Sequence, residues 1–470
     1  MPNPSSILLQ KFPYTPTQGQ LNLFLVFDSF IDKKQDNSLM ILQGYAGTGK
    51  TSIVSALVKT LPLFNYKYLL LAPTGRAAKV ISSYTECAAF TIHKIIYKQV
   101  ADPKSGQLKF KRVKNYNKNT VFVVDEASML SEGNSFGEIG LLKDLLAFVF
   151  EHDSNKLLLI GDTAQLPPVG QSFSAALDRQ RLQDTTGKKV LFAELNEVMR
   201  QNESSGILMN ATALRKVLTD DNLKIRIRTQ GLDDIFQMSA ERLADGLSYA
   251  YANFGMHETI VVCRSNRDAV QYNKHIREQL LFRSEEIEAG DILMIVRNNY
   301  FYVPDDAPSG FLANGDFVEI TKVVTFEELY GLRFATLNIR LINDDESEPF
   351  EAKVILDTLH TNSPALTSEQ NKELYGAVLD DYTDITDRKE LNETLRKDPY
   401  LNALQVKFAY AITCHKSQGG QWQAVFVDQG YLTEDLINTE FVRWLYTAIT
   451  RASKQLFLIN FHQDFFTFEQ

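Results

Sequence analysis

The sequence predicts an α/β protein built from two domains that face each other, and three observations carry that prediction. Short apolar runs that read as buried parallel strands alternate with helical segments. They fall into two groups, one before about residue 190 and one after it, and the second group is split by a long stretch of different character. At 470 residues and 44% hydrophobic content the chain can bury about two to four separate cores.

The first group opens with "SLMILQGYAGTGKTSIVSALVKTL", which reads as a buried strand, a Gly-rich turn and a helix beginning at residues 50–52. Ile53, Val54, Leu57 and Val58 share one face of that helix. "YLLLAPT" (68–74), "TVFVVDEAS" (120–128) and "KLLLIGDT" (156–163) add further strands to this group. Between the second and third, "ADPKSGQLKFKRVKNYNKN" places Asp102, Pro103 and Gly106 in a turn flanked by "IIYKQV" and "QLKFKRV". The reading is a basic β-hairpin over about 97–118. "TIVVCRSN" (259–266), "AVFVDQG" (424–430) and "QLFLIN" (455–460) make the second group. The stretch between carries "SGFLANGDFVEI" and the alternating "LRFATLNIRL", so it is expected to be a small β-rich subdomain followed by helices. The expected domains are 1–190, then 191–300 together with 405–470, with 301–404 inserted.

Net charge is −9, which by itself argues against a polyanionic partner. Its distribution removes the objection. Residues 341–400 hold 15 acidic against 6 basic side chains, so the other residues balance to neutral, and 94–118 hold 8 basic side chains against one Asp. Either run is most simply a solvated face, and the acidic one is also open to a protein partner. Cys87, Cys263 and Cys414 lie far apart without metal-ligand spacing, a pattern suited to a reducing compartment. "MPNPSSILLQKF" has no charged leader before an apolar core, and no apolar run approaches the roughly 20 residues that span a bilayer. A cytoplasmic protein with no membrane contact is the expectation.

"GYAGTGKT" matches the phosphate-binding loop in full and lies in the required strand-to-helix context. Gly44, Ala46, Gly47, Thr48 and Gly49, with Lys50, Thr51 and Ser52 at the helix N-terminus, are expected to surround the phosphates of ATP. There Lys50 reaches the β and γ oxygens and the Thr51 hydroxyl ligands Mg²⁺. "VFVVDEAS" puts Asp125 and Glu126 at a strand end, where open α/β sheets present their ligands. Asp125 is read as holding Mg²⁺ through water and Glu126 as polarising the attacking water. A DE pair alone could equally cap the next helix, but the loop about 75 residues upstream favours the catalytic reading. "LLLIGDTAQLPPVG" offers Asp162 and Gln165 as γ-phosphate sensors on a loop stiffened by Pro167 and Pro168.

With these motifs in place the chain resembles the superfamily one helicases of the RecD/Dda/Pif-like branch. "GYAGTGKT", "LAPTGRAAK", "TIHK", "VVDEAS", "GDTAQLPPVG", "LNEVMRQ", "TCHKSQGGQW" and "LYTAITRA" occur in that family's order from about residue 15 to 453. The resemblance implies two RecA-like motor domains with ATP between them, a hairpin inserted in the first and a small SH3-like insertion in the second. It also implies that Gln18 reads adenine, that Arg200 and Arg451 point at the γ-phosphate, and that Gly419 of "SQGG" touches the nucleotide. A planar Arg supplied on closure would stabilise the charge spread over a loose phosphoryl transition state.

The strand path is implied in the same way. Pro73, Thr74, Arg76, Thr91, His93, Arg264, Ser265, Asn266, Thr413, His415 and Lys416 match segments that grip single-stranded backbone. The hairpin takes the position of a duplex-splitting pin, with Phe110 or Tyr97 as a stacking surface. The expected activity is ATP-dependent translocation on single-stranded DNA, 5′ to 3′ by resemblance, with unwinding at duplex/single-strand junctions by a monomer. An RNA-directed relative, or a nucleotide-gated binding protein that does not unwind, are the alternatives. The acidic second half of the insertion has no match in the family pattern.

Overall fold

The computed structural model describes residues 3–32, 38–101, 108–133, 140–198, 205–220, 223–303, 311–342 and 348–466. The first domain contains β1 (Leu39–Gly44), β2 (Lys67–Ala72), β3 (Ala89–Thr91), the hairpin pair β4 (Tyr97–Ala101) and β5 (Leu108–Arg112), then β6 (Thr120–Val124), β7 (Lys156–Gly161) and β8 (Val190–Leu195). Six of these form one parallel sheet in the order β3-β2-β6-β7-β1-β8. Side chains alternate across it: Met40, Leu42, Val121, Val123, Leu158 and Ile160 pack on one face, while Leu39, Ile41, Phe122, Val124, Leu157 and Leu159 pack on the other. Cover on both faces is why these strands read as unbroken apolar runs.

The expected boundary at 190/191 cuts through this sheet. Residues of β8 pair in parallel with β1, Val190 opposite Leu39 and Leu195 opposite Gly44, so the first domain continues through Leu195. As an edge strand β8 buries Val190, Ala193 and Leu195 but exposes Glu194, which weakens its apolar signal.

The second domain opens with β9 (Ile235–Met238) and β10 (Thr259–Cys263), passes through β11 (Ile292–Ile295), β12 (Phe317–Leu329), β13 (Leu332–Leu341), β14 (Phe350–Ile355) and β15 (Leu404–Phe408), and returns with β16 (Ala411–Thr413), β17 (Trp422–Asp428) and β18 (Ala452–Ile459). Its sheet is parallel throughout, in the order β16-β10-β17-β18-β9, and β11 to β15 close into a barrel. The architecture is thus two RecA-like domains, a hairpin on the first and a small barrel in the second. The insertion is wider than 301–404, because β11 and β15 pair with each other, Met294 opposite Lys407. Between β14 and β15 the acidic segment forms the helices Ser368–Asp380 and Arg388–Lys397, which cover Phe334 and Ile355 of the barrel with Leu374, Val378 and Leu395.

The barrel is anchored to its host domain by a buried ion pair. Arg277 donates to both carboxylate oxygens of Asp291 at 3.0 and 2.9 Å, and the Tyr410 hydroxyl donates to the same carboxylate at 2.9 Å. Satisfied on all sides, this pair fixes where the barrel sits, although such pairs add little net stability. No helix among the described residues is long and apolar enough to cross a membrane.

Candidate nucleotide cleft and nucleic-acid interface

The loop after β1 turns into the helix Lys50–Thr60 through Gly49, whose φ of 82° is the left-handed conformation that glycine adopts without steric cost. Lys50 Nζ lies inside the loop, donating to the carbonyls of Gly44 at 2.6 Å and Tyr45 at 2.8 Å. The ammonium is therefore already held where phosphate oxygens would arrive. At the end of β6, Glu126 has a φ of 51°, a costly backbone for a residue with a side chain, of the kind found at functional sites. Asp125 accepts from Glu126 N at 2.8 Å through Oδ1 and from the Tyr84 hydroxyl at 3.0 Å through Oδ2. Burial raises the pKa of Asp125, and burial together with the Asp125 charge pushes Glu126 up to about 7, while Lys50 and Arg451 pull the other way. Asp125 accepts from the Tyr84 phenol and Thr51 lies beside it, so the two supply a hard-oxygen donor set that suits Mg²⁺.

The second domain reaches into this cleft through the helix Thr439–Ile449. The buried Tyr446 hydroxyl donates to Asp162 Oδ2 at 2.7 Å and accepts from the Ala46 amide of the loop at 3.0 Å. One phenol thus joins the phosphate loop, the end of β7 and the opposite domain. Two residues beyond Ala164, the Leu166 amide donates to Thr447 Oγ1 at 2.9 Å, and its carbonyl accepts from Gln418 Nε2 at 2.8 Å. Ala164 and Leu166 are packed within the second domain's core. Between them Gln165 is buried with Oε1 unpaired, an acceptor poised for a water or a ligand proton. Arg451, itself buried, is held by the carbonyls of Thr447 and Gly420 at 3.0 Å each.

A second face is made by the C-terminal ends of β2, β3, β10 and β16. Thr74, Thr91 and Ser265 follow or end three of these strands and cap the helices after them, accepting from Ala77, Lys94 and Asp268 amides. Thr413 occupies the same position before Cys414–Ser417. Helix N-termini with their free amides are suited to phosphate groups. The hairpin adds an aromatic chain: Phe110 lies 6.1 Å from Tyr97, 6.4 Å from His93 and 5.5 Å from Tyr300, and Tyr300 stacks on Phe311 of the barrel at 4.6 Å.

Residues 32–230 match the family described as AAA domain, and residues 408–459 match the UvrD-like helicase C-terminal domain. The ATP-dependent DNA helicase dda of Enterobacteria phage T4 is 24% identical over 94% of this chain and 99% of its own length. The chain is a superfamily one helicase of the RecD/Dda/Pif-like branch. Uncharacterized protein R530 of Acanthamoeba polyphaga mimivirus is likewise 24% identical to this helicase, over 89% of the chain and 95% of R530. A solved structure of Pif1 helicases at forked duplex DNA aligns with 97% of this helicase and 95% of its own chain, at 15% identity and a TM-score of 0.49.

Within the helicase the phosphate loop, Lys50, Thr51, Asp125, Glu126, Gln165 and Arg451 converge on one cleft, and several other expected residues fall elsewhere. Gln18 is exposed and donates to Asn22, whereas buried Gln20 donates to the Thr48 carbonyl of the loop at 3.0 Å. The spacing Thr17-x-x-Gln20 is a capping box, a signal that distinguishes the two glutamines. Gly419 does not face the nucleotide loop: a Cβ there would meet Ala77 at 2.8 Å and Thr74 at 3.3 Å, so the residue is a close interdomain contact. Arg76 is spent on the same interface, stacked 3.9 Å over Trp422 and donating to the Gln421 carbonyl, rather than free for a strand. Arg264 donates to the Tyr431 carbonyl and stacks over Phe441.

His93 is partly enclosed beside Tyr97, and burial lowers its pKa to about 4, which favours the neutral ring there. Phe110 packs within the aromatic chain instead of presenting a free face, and Tyr97 donates to Asp144 at 2.6 Å. Lys416 donates to Asn314 of the barrel at 2.6 Å, and burial lowers its pKa to about 8; burial also lowers that of His415. Asn266 and Lys416 line one small cleft between the second sheet and the barrel, and Pro73 stays half-buried before Thr74. Arg200 lies outside the described residues. Tyr446 and Tyr84 were not singled out by sequence reasoning; Tyr446 stands inside the quoted "LYTAITRA", but its partners are distant in sequence.

Proposed function

We propose that this helicase couples ATP hydrolysis to 5′ to 3′ travel along single-stranded DNA and to separation of duplex at the junction. The observation that carries the reading is the contact of Tyr446 with both Ala46 and Asp162, since it makes the second domain part of the phosphate site. Hydrolysis and domain closure are then one event.

In the closed cleft Lys50 and the loop amides hold the phosphates, and Glu126 orients and takes a proton from the attacking water. Thr51, and Asp125 through water, would hold Mg²⁺, which would neutralise charge on the phosphates when bound. Arg451 stands on the far wall, where its charge already reaches Glu126. Release of phosphate loosens the Tyr446 and Leu166 contacts, and the capped strand ends of the two sheets then change their spacing along a bound backbone. Sequence-independent grip is consistent with hydroxyls and helix N-termini rather than base-reading side chains. The relative named as a DNA helicase supports DNA as the track, and its branch supports the polarity.

Strand displacement on matched duplexes bearing a 5′ or a 3′ single-stranded tail tests the reading. Unwinding of the 5′-tailed substrate alone, dependent on ATP, is the expected result. Unwinding only from a 3′ tail would refute the polarity, and ATPase activation by RNA but not DNA would refute the substrate.

A further inference from the structure

The helix Gly75–Thr85 spans about 16 Å and has a distinct contact at each end. Its N-terminal turn meets the second domain, with Gly419 against Thr74 and Ala77 and the Arg76 guanidinium donating to the Gln421 carbonyl at 3.2 Å over the Trp422 ring. At the last turn the Tyr84 hydroxyl donates to Asp125 Oδ2 at 3.0 Å and lies beside the Thr51 side chain.

The Thr51 hydroxyl and the Asp125 carboxylate are the groups that hold the cation in the function proposed above, and Tyr84 stands beside both. A threonine hydroxyl that gives a lone pair to a cation must send its proton elsewhere, and the Tyr84 oxygen is the neighbouring acceptor. The tyrosine proton in turn goes to Asp125, while Glu126 N fixes the other carboxylate oxygen at 2.8 Å. The plane of Asp125 is thus fixed in part by a phenol that also stands next to Thr51.

We propose that Tyr84 is a positioning residue for the divalent cation of the nucleotide site, and that the Gly75–Thr85 helix makes cation binding respond to the second domain and the strand it holds. This inference rests on the ATPase reading. The helix is a continuous body from the interdomain face to the cation ligands, so a shift at Thr74–Ala77 moves the Tyr84 hydroxyl with it. Partners that orient a metal's ligands typically affect its affinity by 10–100-fold.

The experiment is a Mg²⁺ titration of fluorescent ADP-analogue binding to the 470-residue chain, with and without an oligo-dT strand, comparing wild type with Tyr84→Phe. Phenylalanine keeps the ring and removes only the hydroxyl; a melting temperature within a few degrees of wild type verifies the fold. In the variant, binding in EDTA is expected to stay within about twofold, the Mg²⁺ midpoint to rise on the order of tenfold, and the strand-induced shift of that midpoint to shrink. An unchanged midpoint and an unchanged strand response in the variant, where wild type responds, overturn the role of Tyr84 alone. Absence of any Mg²⁺-dependent nucleotide binding in wild type overturns the ATPase reading and this inference with it.

Discussion

Replacing Tyr446 by phenylalanine removes one oxygen and tests whether closure and hydrolysis are coupled through it. The ring is 1% exposed and its packing is retained, so the effect isolates two hydrogen bonds. The bond from the Ala46 amide, 3.0 Å long, is neutral and contributes about 1 kcal/mol; the 2.7 Å bond to the Asp162 carboxylate is charge-assisted and contributes about 2 kcal/mol. The Ala46 amide and Asp162 Oδ2 would each lose this partner in the closed cleft but would reach water in an open one, while Asp162 Oδ1 keeps its bond from the Ala164 amide. The closed form should therefore weaken by about 3 kcal/mol, roughly a hundredfold in its population relative to the open form. Steady-state ATPase at saturating single-stranded DNA is the assay: kcat should fall by one to two orders of magnitude, with the melting temperature of the nucleotide-free protein little changed. A double-mutant cycle with Asp162→Asn should show that the two losses are not additive. A kcat within about twofold of wild type would refute the reasoning.

Lys50→Ala and Glu126→Gln should each abolish ATP hydrolysis while leaving the far-UV circular dichroism of the fold intact; near-normal turnover in either would remove that residue from the chemistry. Phe110→Ala should spare strand-stimulated ATPase yet weaken unwinding, because it cuts the aromatic chain that braces the hairpin against the barrel; equal losses in both assays would show that the hairpin is no splitting element. His93, its pKa lowered to about 4, stays neutral in the fold while the unfolded chain takes up a proton near pH 6.5, so its contribution falls as pH drops through that interval. Between pH 7.5 and 5, His93→Gln should lose about 2 kcal/mol less stability than wild type in urea titrations, and parallel losses would disprove the assignment.

The cleft was the most legible part of the sequence because its residues follow buried central strands: β1, β6 and β7 each carry an unbroken run of four apolar residues, and Gly44, Asp125 and Asp162 mark their ends. Edge strands were harder. β3 and β16 have three residues each, and β8 is only partly buried and carries Glu194, so the first domain extends five residues beyond the expected boundary. Individual surroundings were harder to read where a distant partner decides them. Arg76 reads as a strand contact until Trp422 and Phe317, more than 200 residues away, are seen to enclose its guanidinium. Gln18 and Gln20 differ only in position within a cap, and it is the capped geometry that sends Gln20 inward.

The Leu166 backbone bonds to Thr447 and Gln418 give the two halves of the chain unequal independence. A fragment ending near residue 198 would carry Ala164 and Leu166 outward as bare apolar surface, with an amide and a carbonyl stripped of their partners. Its complement would contain a matching hole among the side chains that surround them. Each half expressed alone should therefore be prone to aggregation, and coexpression should rescue both. What divides the chain in sequence is in this respect a seam already sewn.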